Sequence, residues 1–344
     1  MNLNTPNAVA LTSIQDRIGT PITLDRNACL TTSYSSFGML GSCPRKYAKY
    51  KIYPDNELYR DESAALSQGR AVGHGYACWL ETGNKDLAML ETWRHFYPPL
   101  IDNVRDITKA CIIVQKLAEF DMQGWQLAVL NGKPCTETSF AIKLSDEVLY
   151  EDGSIRYPAI YFVGFLDAIL QHSRSFDLLP LELKTTTLTA NIRENFMNSS
   201  QGNGYGLVLD KIAAMIGRPV GLNYDIQYMV AQAHRAVADQ YNPTIHFGNK
   251  FRFTKTISDR LEWLIDLKLT QGRILNYLDM DMFPRNGSSC LNYNKLCPFS
   301  GVCNLTNTQP PAWEQGRDPD LVTYDFYFDV EELIQDATQI AMEL

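Results

Sequence analysis

The amino-acid sequence predicts an α/β fold in which a central mixed β-sheet is flanked by helices. β-Branched, aromatic and aliphatic residues are concentrated in three closely spaced segments, 136–144, 158–171 and 177–185, separated by turn-forming residues. This pattern is typical of strands. Apolar residues at helical spacing occur on both sides of this group. The chain has 344 residues, 45% of them hydrophobic, so it can bury a large core without disulfides.

The other elements are predicted from the same two periodicities and from residues that break helices and strands. The segment 34–53 interleaves aromatic and basic residues, whereas Gly69, Gly73 and Gly75 predict a close backbone approach in the next helix. In chain order, the sequence predicts helices at 34–53, 64–80, 86–96 and 101–130, the three strands, a helix from about 199 to 216, strands at 221–236 and 247–256, a helix at 257–280 and a loop after Pro284.

The domain organisation follows from the position of these elements. We expect an N-terminal extension over 1–32, a main domain over 33–310 with a helical insertion at 84–131, and an acidic C-terminal segment over 311–344. The first residues lack the basic and apolar regions of a signal peptide. No stretch reaches the roughly 18–20 apolar residues that span a membrane. A cytoplasmic location without a membrane partner is therefore expected.

The net charge of −8 is concentrated at the C-terminus. Residues 311–344 contain nine acids and one base, so the rest of the chain has 30 acids and 30 bases. The acidity of the whole chain therefore says little against nucleic-acid binding by the main domain. The acidic segment is predicted to form a solvated helix and an edge strand. The alternative is a surface that mimics DNA, covering a basic groove or docking on a protein partner.

Acidic residues and a lysine interrupt two of the predicted strands. Glu182 and Lys184 are two residues apart, so they share one face of their strand, and Leu183 points to the other. Burying an acid and a lysine in an apolar strand is costly unless they have a role. If the strand that contains Asp167 pairs beside this one, two carboxylates and an ammonium converge. Such a group suits a divalent metal ion and a phosphate.

These residues resemble the active-site signature of the PD-(D/E)XK nucleases, specifically their RecB-like exonuclease branch. Taken alone, Glu-x-Lys is common in solvent-facing strands, and a single histidine is more often structural. The order of the motifs over 33–303 carries the resemblance, which implies a restriction-endonuclease-like sheet with N-terminal helical additions. The matching motifs are Gly69-x-x-x-x-His74, Gly164-x-x-Asp167, Glu182-x-Lys184-Thr185 and Gln201-x-x-x-Tyr205.

The resemblance implies a role for each matching residue. Lys184 would be the catalytic lysine, acting with the acids Asp167 and Glu182. Gln201 and Tyr205, one helical turn apart, would position the nucleophile or the scissile strand. Glu137, in the first strand, would have a supporting role. The implied ligands of Mg²⁺ or Mn²⁺ are His74, Asp167, Glu182 and the carbonyl of Leu183.

Four of the eight cysteines are predicted to bind a metal together. Cys290, Cys297 and Cys303 lie in one short segment, and Cys43 lies far away in Ser-Cys-Pro-Arg. Four thiolates suit either a [4Fe–4S] cluster or Zn²⁺, but the paired Cys-x2–4-Cys knuckles of zinc sites are absent. The arrangement resembles the iron–sulfur members of the RecB-like branch, although their first gap is x2 and this one is x6. The resemblance implies a cluster that staples the N-terminal and C-terminal regions together.

Basic and aromatic residues beside Cys43 form a candidate DNA-binding surface. Arg45, Lys46 and Lys49 could contact phosphates, and Tyr47 could stack on a base. The alternative is a solvated helix whose tyrosines pack inward. We therefore expect DNA, as single strands or ends, to be the partner.

The function predicted from these features is a metal-dependent DNA exonuclease of repair, recombination or phage DNA metabolism, encoded by a prokaryote or phage and acting in the host cytoplasm. One alternative is a non-catalytic scaffold subunit that binds DNA ends. Another is an endonuclease, including the adaptation nucleases of CRISPR systems.

Overall fold

A computed structural model describes residues 21–54, 63–130, 132–188, 190–215, 221–236, 238–292, 295–304 and 310–342. It confirms the α/β class. Within these ranges the chain divides into two compact units, each built from separate segments. The first unit contains 63–138 and 165–256, and the second contains 21–54, 139–164 and 257–342. Across the described ranges, no helix combines the length and apolar character needed to cross a bilayer.

The described residues also form short π-helical and 3₁₀ turns besides the α-helices. A π-helical turn spans Ala48–Ile52, and 3₁₀ turns span Asn249–Phe251, Gly287–Ser289 and Ala312–Glu314. The α-helices are α1 (Tyr34–Ser42), α2 (Pro44–Tyr47), α3 (Ala64–Thr82), α4 (Lys85–His95), α5 (Ile107–Ala118), α6 (Ile192–Met197), α7 (Gln201–Met215), α8 (Ile257–Asp279) and α9 (Val330–Met342).

The strands include the three long ones expected at 136–144, 158–171 and 177–185. In chain order they are β1 (Ile22–Asp25), β2 (Leu30–Thr32), β3 (Trp125–Leu127), β4 (Val129–Leu130), β5 (Lys133–Pro134), β6 (Thr136–Ser145), β7 (Val148–Leu149), β8 (Ile155–Tyr157), β9 (Ile160–His172), β10 (Leu178–Thr186), β11 (Asn223–Gln232), β12 (Thr244–His246), β13 (Arg252–Thr256), β14 (Leu291–Asn292), β15 (Lys295–Leu296), β16 (Leu321–Tyr324) and β17 (Phe326–Asp329).

The first unit is organised around a mixed sheet. Its middle strand, β10, pairs in parallel with β11 and antiparallel with β9. The strands β12 and β13 both pair antiparallel with β11, and β3 pairs antiparallel with β9. The first unit thus has the mixed sheet that the sequence predicts.

Helices α3, α4 and α5 cover one face of this sheet. Leu181 on β10 belongs to the same buried cluster as Val72 of α3 and Ile113 of α5. A Cβ atom on Gly75 would clash with the hydroxyl of Thr92 on α4, so only glycine permits this helix contact. Gly75 therefore provides the predicted close approach, whereas Gly73 has no neighbour within 4 Å of such an atom.

The second unit contains the N-terminal and C-terminal strands. β17 pairs in parallel with β6, β2 pairs in parallel with the start of β9, and β1 pairs antiparallel with β16. An aromatic cluster anchors α1 and α8: the ring of Tyr34 stacks on Trp263 at 5.7 Å and meets the edge of Phe162 at 4.8 Å. Residues 21–32, expected within an N-terminal extension, thus contribute two strands to this unit. Residues 1–20 of that expected extension lie outside the described ranges.

Two predicted helices differ from the observed ones. The helix expected at 34–53 is interrupted at Cys43, whose backbone is extended (φ −160°, ψ 104°). Pro44 follows, and the residue before a proline avoids the helical region. The helix expected at 101–130 spans only 107–118, because Asp106 caps its start and a turn with positive φ at Gln123 and Gly124 leads into β3.

The acidic C-terminal segment is part of the fold of the second unit. It forms β16, the edge strand β17 and α9, in agreement with the predicted edge strand and helix. Phe326 and Phe328 are buried. Asp329 pairs with Lys143 at 3.0 Å, and Glu331 pairs with Lys268 at 2.7 Å. Deleting the segment would therefore remove a strand and its core, so deletion cannot test whether its acids mimic DNA.

We expect Asp325→Ala to destabilise the protein by about 2 kcal/mol, because hydrogen bonds to a charged group contribute about 1.5–3 kcal/mol. The Asp325 carboxylate accepts bonds from the Ser139 amide at 2.9 Å and from its hydroxyl at 2.8 Å. Urea unfolding would measure the change, with Asp318→Ala, at an exposed position, as the matched control. Equal stability of the two variants would contradict this account.

Candidate functional site

The two strands that carry the predicted acids separate at the acids themselves. The antiparallel register of β9 and β10 runs from Leu178 opposite Gln171 to Leu181 opposite Ala168 and ends there. At the next position Oδ2 of Asp167 accepts a hydrogen bond from the amide of Leu183 at 2.6 Å. A side chain thus replaces the backbone partner that strand pairing would supply. The carboxylate of Asp167 is thereby held at the opening between the strands.

Glu182, Lys184, Gln201 and Tyr205 form a closed ring of interactions, called here the four-residue ring. Lys184 Nζ forms an ion pair with Oε1 of Glu182 and donates to Oε1 of Gln201 at 3.1 Å. Gln201 Nε2 donates to the hydroxyl of Tyr205 at 2.8 Å, and that hydroxyl donates to Oε2 of Glu182. Each member therefore fixes the orientation of the next.

Strand alternation and helix periodicity produce the four-residue ring. Glu182 and Lys184 point away from the apolar face that contains Leu181, as alternation predicts. Gln201 and Tyr205 are four residues apart on α7 and so lie one turn apart on one side of that helix. Glu182 is 1% exposed and Tyr205 is 0% exposed, whereas the Lys184 side chain is 32% exposed. The lysine therefore reaches solvent, and Gln201 is also only partly buried.

The site holds an excess of negative charge. Burial raises the pKa of Asp167 well above its ordinary value, and the Glu182 carboxylate raises it further. The pKa of Glu137 is also raised, by burial around its carboxyl group and by Glu182 and Glu81. Burial lowers the pKa of Lys184, but its ion pair with Glu182 outweighs this and leaves the pKa raised. The charges of these three carboxyl groups thus interact, and the ammonium of Lys184 interacts with two of them, Glu182 and Asp167.

Tyr228 is a site neighbour that the sequence did not reveal. It is the partner of Glu182 in the parallel register of β10 and β11, and it is 0% exposed. Burial raises the pKa of its hydroxyl, and the charges of Glu182 and Asp167 raise it further. No short motif marks Tyr228, because its position depends on the register of a strand more than 40 residues along the chain. Glu137, by contrast, was predicted from the sequence as a supporting residue of the site. Its backbone has a positive φ of 46°.

His74 makes its described contacts away from these carboxylates. It lies on α3, which packs on the opposite face of β10 from Glu182. Its ring stacks on His95 at 3.8 Å, and burial together with His95 lowers its pKa. The role of His74 as a metal ligand stays a prediction. For Leu183 the structure describes the amide as a donor to Asp167, and the role of its carbonyl also stays a prediction.

The carboxylates have the chemistry of a hard divalent cation site. Carboxylate oxygens are ligands that Mg²⁺ and Mn²⁺ accept. A doubly charged cation would favour the ionised form of Asp167, which burial and the Glu182 carboxylate disfavour. The residues present therefore fit such an ion. In the described part of the chain, no three histidine, cysteine, aspartate or glutamate side chains already form a group that could hold a metal ion.

Hydrogen bonds in the second unit join the segment beside Cys43 to the segment that leads to Cys290 and Cys297. The carbonyl of Ser42, beside Cys43, accepts hydrogen bonds from the side chains of Asn286 at 2.8 Å and Ser289 at 2.7 Å. Cys43 is buried, and the amide of Cys297 donates to the carbonyl of Cys290 at 2.8 Å. The backbone beside Cys43 thus lies against the segment that precedes Cys290, and the binding of a metal by the four cysteines stays a prediction.

The same contacts correct the predicted DNA surface. Tyr47 is 0% exposed, so it cannot stack on a base in this structure. Nε of Arg45 donates a hydrogen bond to the carbonyl of Phe283 at 2.7 Å. Nζ of Lys46 lies 5.8 Å from the centre of the Tyr50 ring. The burial of Tyr47 agrees with the alternative, in which the tyrosines of a solvated helix pack inward. Phosphate binding by Arg45, Lys46 and Lys49 stays a prediction.

The chain matches no protein-family description and no curated protein. Among solved structures it matches the crystal structure of SSO0001, with 12% sequence identity and a TM-score of 0.28, over 80% of this chain and 85% of that one. A likeness this low carries no argument about fold or function.

We expect Asp167→Asn to raise the melting temperature of the metal-free protein at pH 8. Because the pKa of Asp167 is raised on folding, its contribution to stability is complete below about pH 4, the ordinary value, and is lost as the pH rises through the folded pKa. Asparagine resembles the protonated carboxyl and avoids that loss. Calorimetry in EDTA at pH 4 and pH 8 would measure the difference, which should be present only at pH 8.

The exposed Asp239 provides the control, since Asp239→Asn should change neither melting temperature. An Asp167→Asn protein that melts at or below the wild-type temperature at pH 8 would show that the site does not disfavour this charge.

Proposed function

We propose that the protein is a metal-dependent deoxyribonuclease of the PD-(D/E)XK superfamily, related to the RecB-like exonucleases. The observation that carries the proposal is the convergence of Asp167 with the four-residue ring, where β9 and β10 separate. The sequence motifs support it, because each member of this group occupies the position that the resemblance implies. A solvated Glu-x-Lys pair would require neither the burial of Glu182 nor the hydrogen bonds from α7.

Lys184 is the cation of the reaction site. Its raised pKa keeps it protonated at neutral pH, so it acts by its charge and by donating hydrogen bonds. Glu182 and Gln201 both contact the ammonium, and part of the Lys184 side chain is exposed to solvent. In this position Lys184 would orient a water molecule and offset the charge that develops on the phosphate.

Asp167 and Glu182 would hold the divalent ion, with Glu137 nearby. Tyr205 keeps Glu182 in place through its hydroxyl, and the amide of Leu183 keeps Asp167 in place. When bound, Mg²⁺ or Mn²⁺ would lower the pKa of a water molecule and stabilise the charge on the leaving oxygen of a phosphodiester. The protein's own contribution is to present these oxygens in fixed orientations at the open end of two strands.

The substrate in this proposal is DNA, as single strands or as ends, and the activity is exonucleolytic. The resemblance to the RecB-like branch supports both statements. An endonuclease, including the adaptation type of CRISPR systems, would also cut circular single-stranded DNA, whereas an exonuclease needs an end. A circular and a linear substrate of the same sequence therefore separate the two activities.

The four cysteines would hold a [4Fe–4S] cluster that clamps the N-terminal helices onto the C-terminal loop, with Zn²⁺ as the alternative metal. The hydrogen bonds that join Ser42 to Asn286 and Ser289 support this part of the proposal. Metal binding would add to these contacts, because the binding free energy of a structural metal stabilises the folded state.

We expect Lys184→Ala to reduce the rate of DNA cleavage with Mn²⁺ by about 100-fold or more, since losing one preorganised group at a reacting oxyanion costs on the order of 100- to 1,000-fold. Labelled linear single-stranded DNA would measure the rate. Lys116→Ala, which removes an exposed lysine of α5, is the matched control and should cleave like the wild type.

Thermal melts with added Mn²⁺ test the metal site independently of cleavage. Binding to the folded state at about 100 times the dissociation constant stabilises a protein by about 2.7 kcal/mol. Wild type and Lys184→Ala should both gain stability, whereas Asp167→Asn should gain much less. Wild-type protein that binds DNA but cleaves none with either metal would instead support the non-catalytic scaffold.

We expect protein purified without oxygen to be brown, to absorb near about 400 nm and to contain iron. Cys43→Ser should lose most of this absorbance and melt at a lower temperature, because the cluster loses its thiolate ligand from the N-terminal segment. Cys111→Ser, which changes a thiol of α5 that is not predicted to bind metal, is the control. Zinc in place of iron would identify the alternative metal, and protein free of both metals would contradict the staple.

A further inference from the structure

Arg193 differs from several other arginines of the protein in the kind of group that its guanidinium contacts. Four arginines form ion pairs with carboxylates at 2.6–2.8 Å, and these pairs are Arg26–Asp320, Arg94–Glu91, Arg105–Asp102 and Arg156–Asp279. The contacts described for Arg193 are with neutral groups only. Its positive charge is therefore held in place by those contacts without being neutralised by them.

Three contacts fix the exposed guanidinium of Arg193. Its Nε donates to the carbonyl of Lys250 at 3.0 Å, and its Nη1 donates to the sulfur of Met197 at 3.2 Å. The guanidinium carbon lies 5.3 Å from the centre of the Phe253 ring. A guanidinium held this way loses little side-chain entropy when an anion binds. Lys250, whose backbone carbonyl accepts the bond from Nε, is itself an exposed lysine.

The neighbouring acid does not cancel this charge. Glu194 follows Arg193 on α6 and is exposed. Consecutive residues of a helix are about 100° apart around its axis and do not face each other. Arg193 and Lys250 are therefore two exposed basic residues whose chain segments meet at the Arg193 guanidinium.

Aromatic side chains connect Arg193 to the candidate active site within the first unit. The Phe253 ring meets the edge of the Tyr228 ring at 5.5 Å, and Tyr228 is the register partner of Glu182. Tyr228 also stacks on Phe196 of α6 at 5.5 Å. The helix α6 ends at Met197, shortly before Gln201, which binds Lys184. Arg193 is thus connected to Glu182 through two aromatic side chains, Phe253 and Tyr228.

We propose that Arg193 and Lys250 form a phosphate subsite that binds the backbone of the substrate strand next to the scissile phosphate. This inference rests on the proposed nuclease function and deepens it. Arginine is suited to the role because its planar donors match two phosphate oxygens at once. Contacts to phosphates fix the register of a strand without reading its sequence. The subsite therefore positions any single strand for cleavage beside Lys184.

The test is the binding of a labelled single-stranded oligonucleotide to the full chain over a range of salt concentrations. Asp167→Asn serves as the parent protein, so that the strand is not cut. Adding Arg193→Gln should weaken binding about tenfold at low salt, the effect of losing one charge-assisted hydrogen-bond pair. It should also make the plot of log affinity against log salt less steep by about 0.7, the contribution of one phosphate contact on a single strand.

Two further variants separate loss of the subsite from loss of folding. Arg193→Lys keeps the charge but not the planar donors, and should bind with intermediate affinity. Lys250→Gln keeps the backbone carbonyl that holds Arg193, and should also make the salt dependence less steep. Arg174→Gln is the matched control. Arg174 is exposed in the turn before β10, about ten residues or roughly 30 Å of strand from Lys184, and its loss should leave the salt dependence unchanged.

The outcomes distinguish the two proposals. A parent that binds DNA, with Arg193→Gln and Lys250→Gln binding equally well and with the same salt dependence, would overturn the subsite alone. A parent that binds no DNA would overturn the nuclease proposal and the subsite with it.

Discussion

The four-residue ring is the interaction on which the candidate site depends. Burying the carboxylate of Glu182 is costly unless each of its oxygens has a partner. Lys184 supplies one partner and Tyr205 the other, and Gln201 connects these two. This requirement ties the end of β10 to the first turn of α7. The register of the strand and the orientation of the helix are therefore coupled. The ammonium of Lys184 is held between Glu182 and Gln201.

The separation of β9 from β10 keeps the space beside Glu182 open. Continued antiparallel pairing would close the space beside Glu182, but the carboxylate of Asp167 takes the amide of Leu183 as its partner. Burial, together with the Glu182 carboxylate, raises the pKa of Asp167, so the negative charge of Asp167 is disfavoured in the metal-free site. The same charge that destabilises the metal-free protein would favour a divalent ion. Arg193, on helix α6, is positively charged. In the proposed phosphate subsite it would bind the DNA strand that the divalent ion acts on.

Several expectations from the sequence failed or stayed untested for a common reason. The sequence around Tyr47 suggests an exposed aromatic residue among basic ones, yet its side chain is completely buried. His74 matches a motif, but the face of α3 on which it lies is turned to α4. Tyr228 carries no motif and still adjoins the acids, because strand register places it there. In each case the environment is set by contacts between elements remote in sequence, which local periodicity does not encode.

The sequence by itself determined the α/β class, most helix and strand positions, and the shared face of Glu182 and Lys184, because these depend on periods of two and about 3.6 residues. It also placed Gln201 and Tyr205 on one side of a helix. Only the tertiary structure decided that the strands part at Asp167, that Glu182 is buried within the four-residue ring, and that the C-terminal segment forms part of a core. Those outcomes depend on which elements pack together and on the need to pair every buried charge.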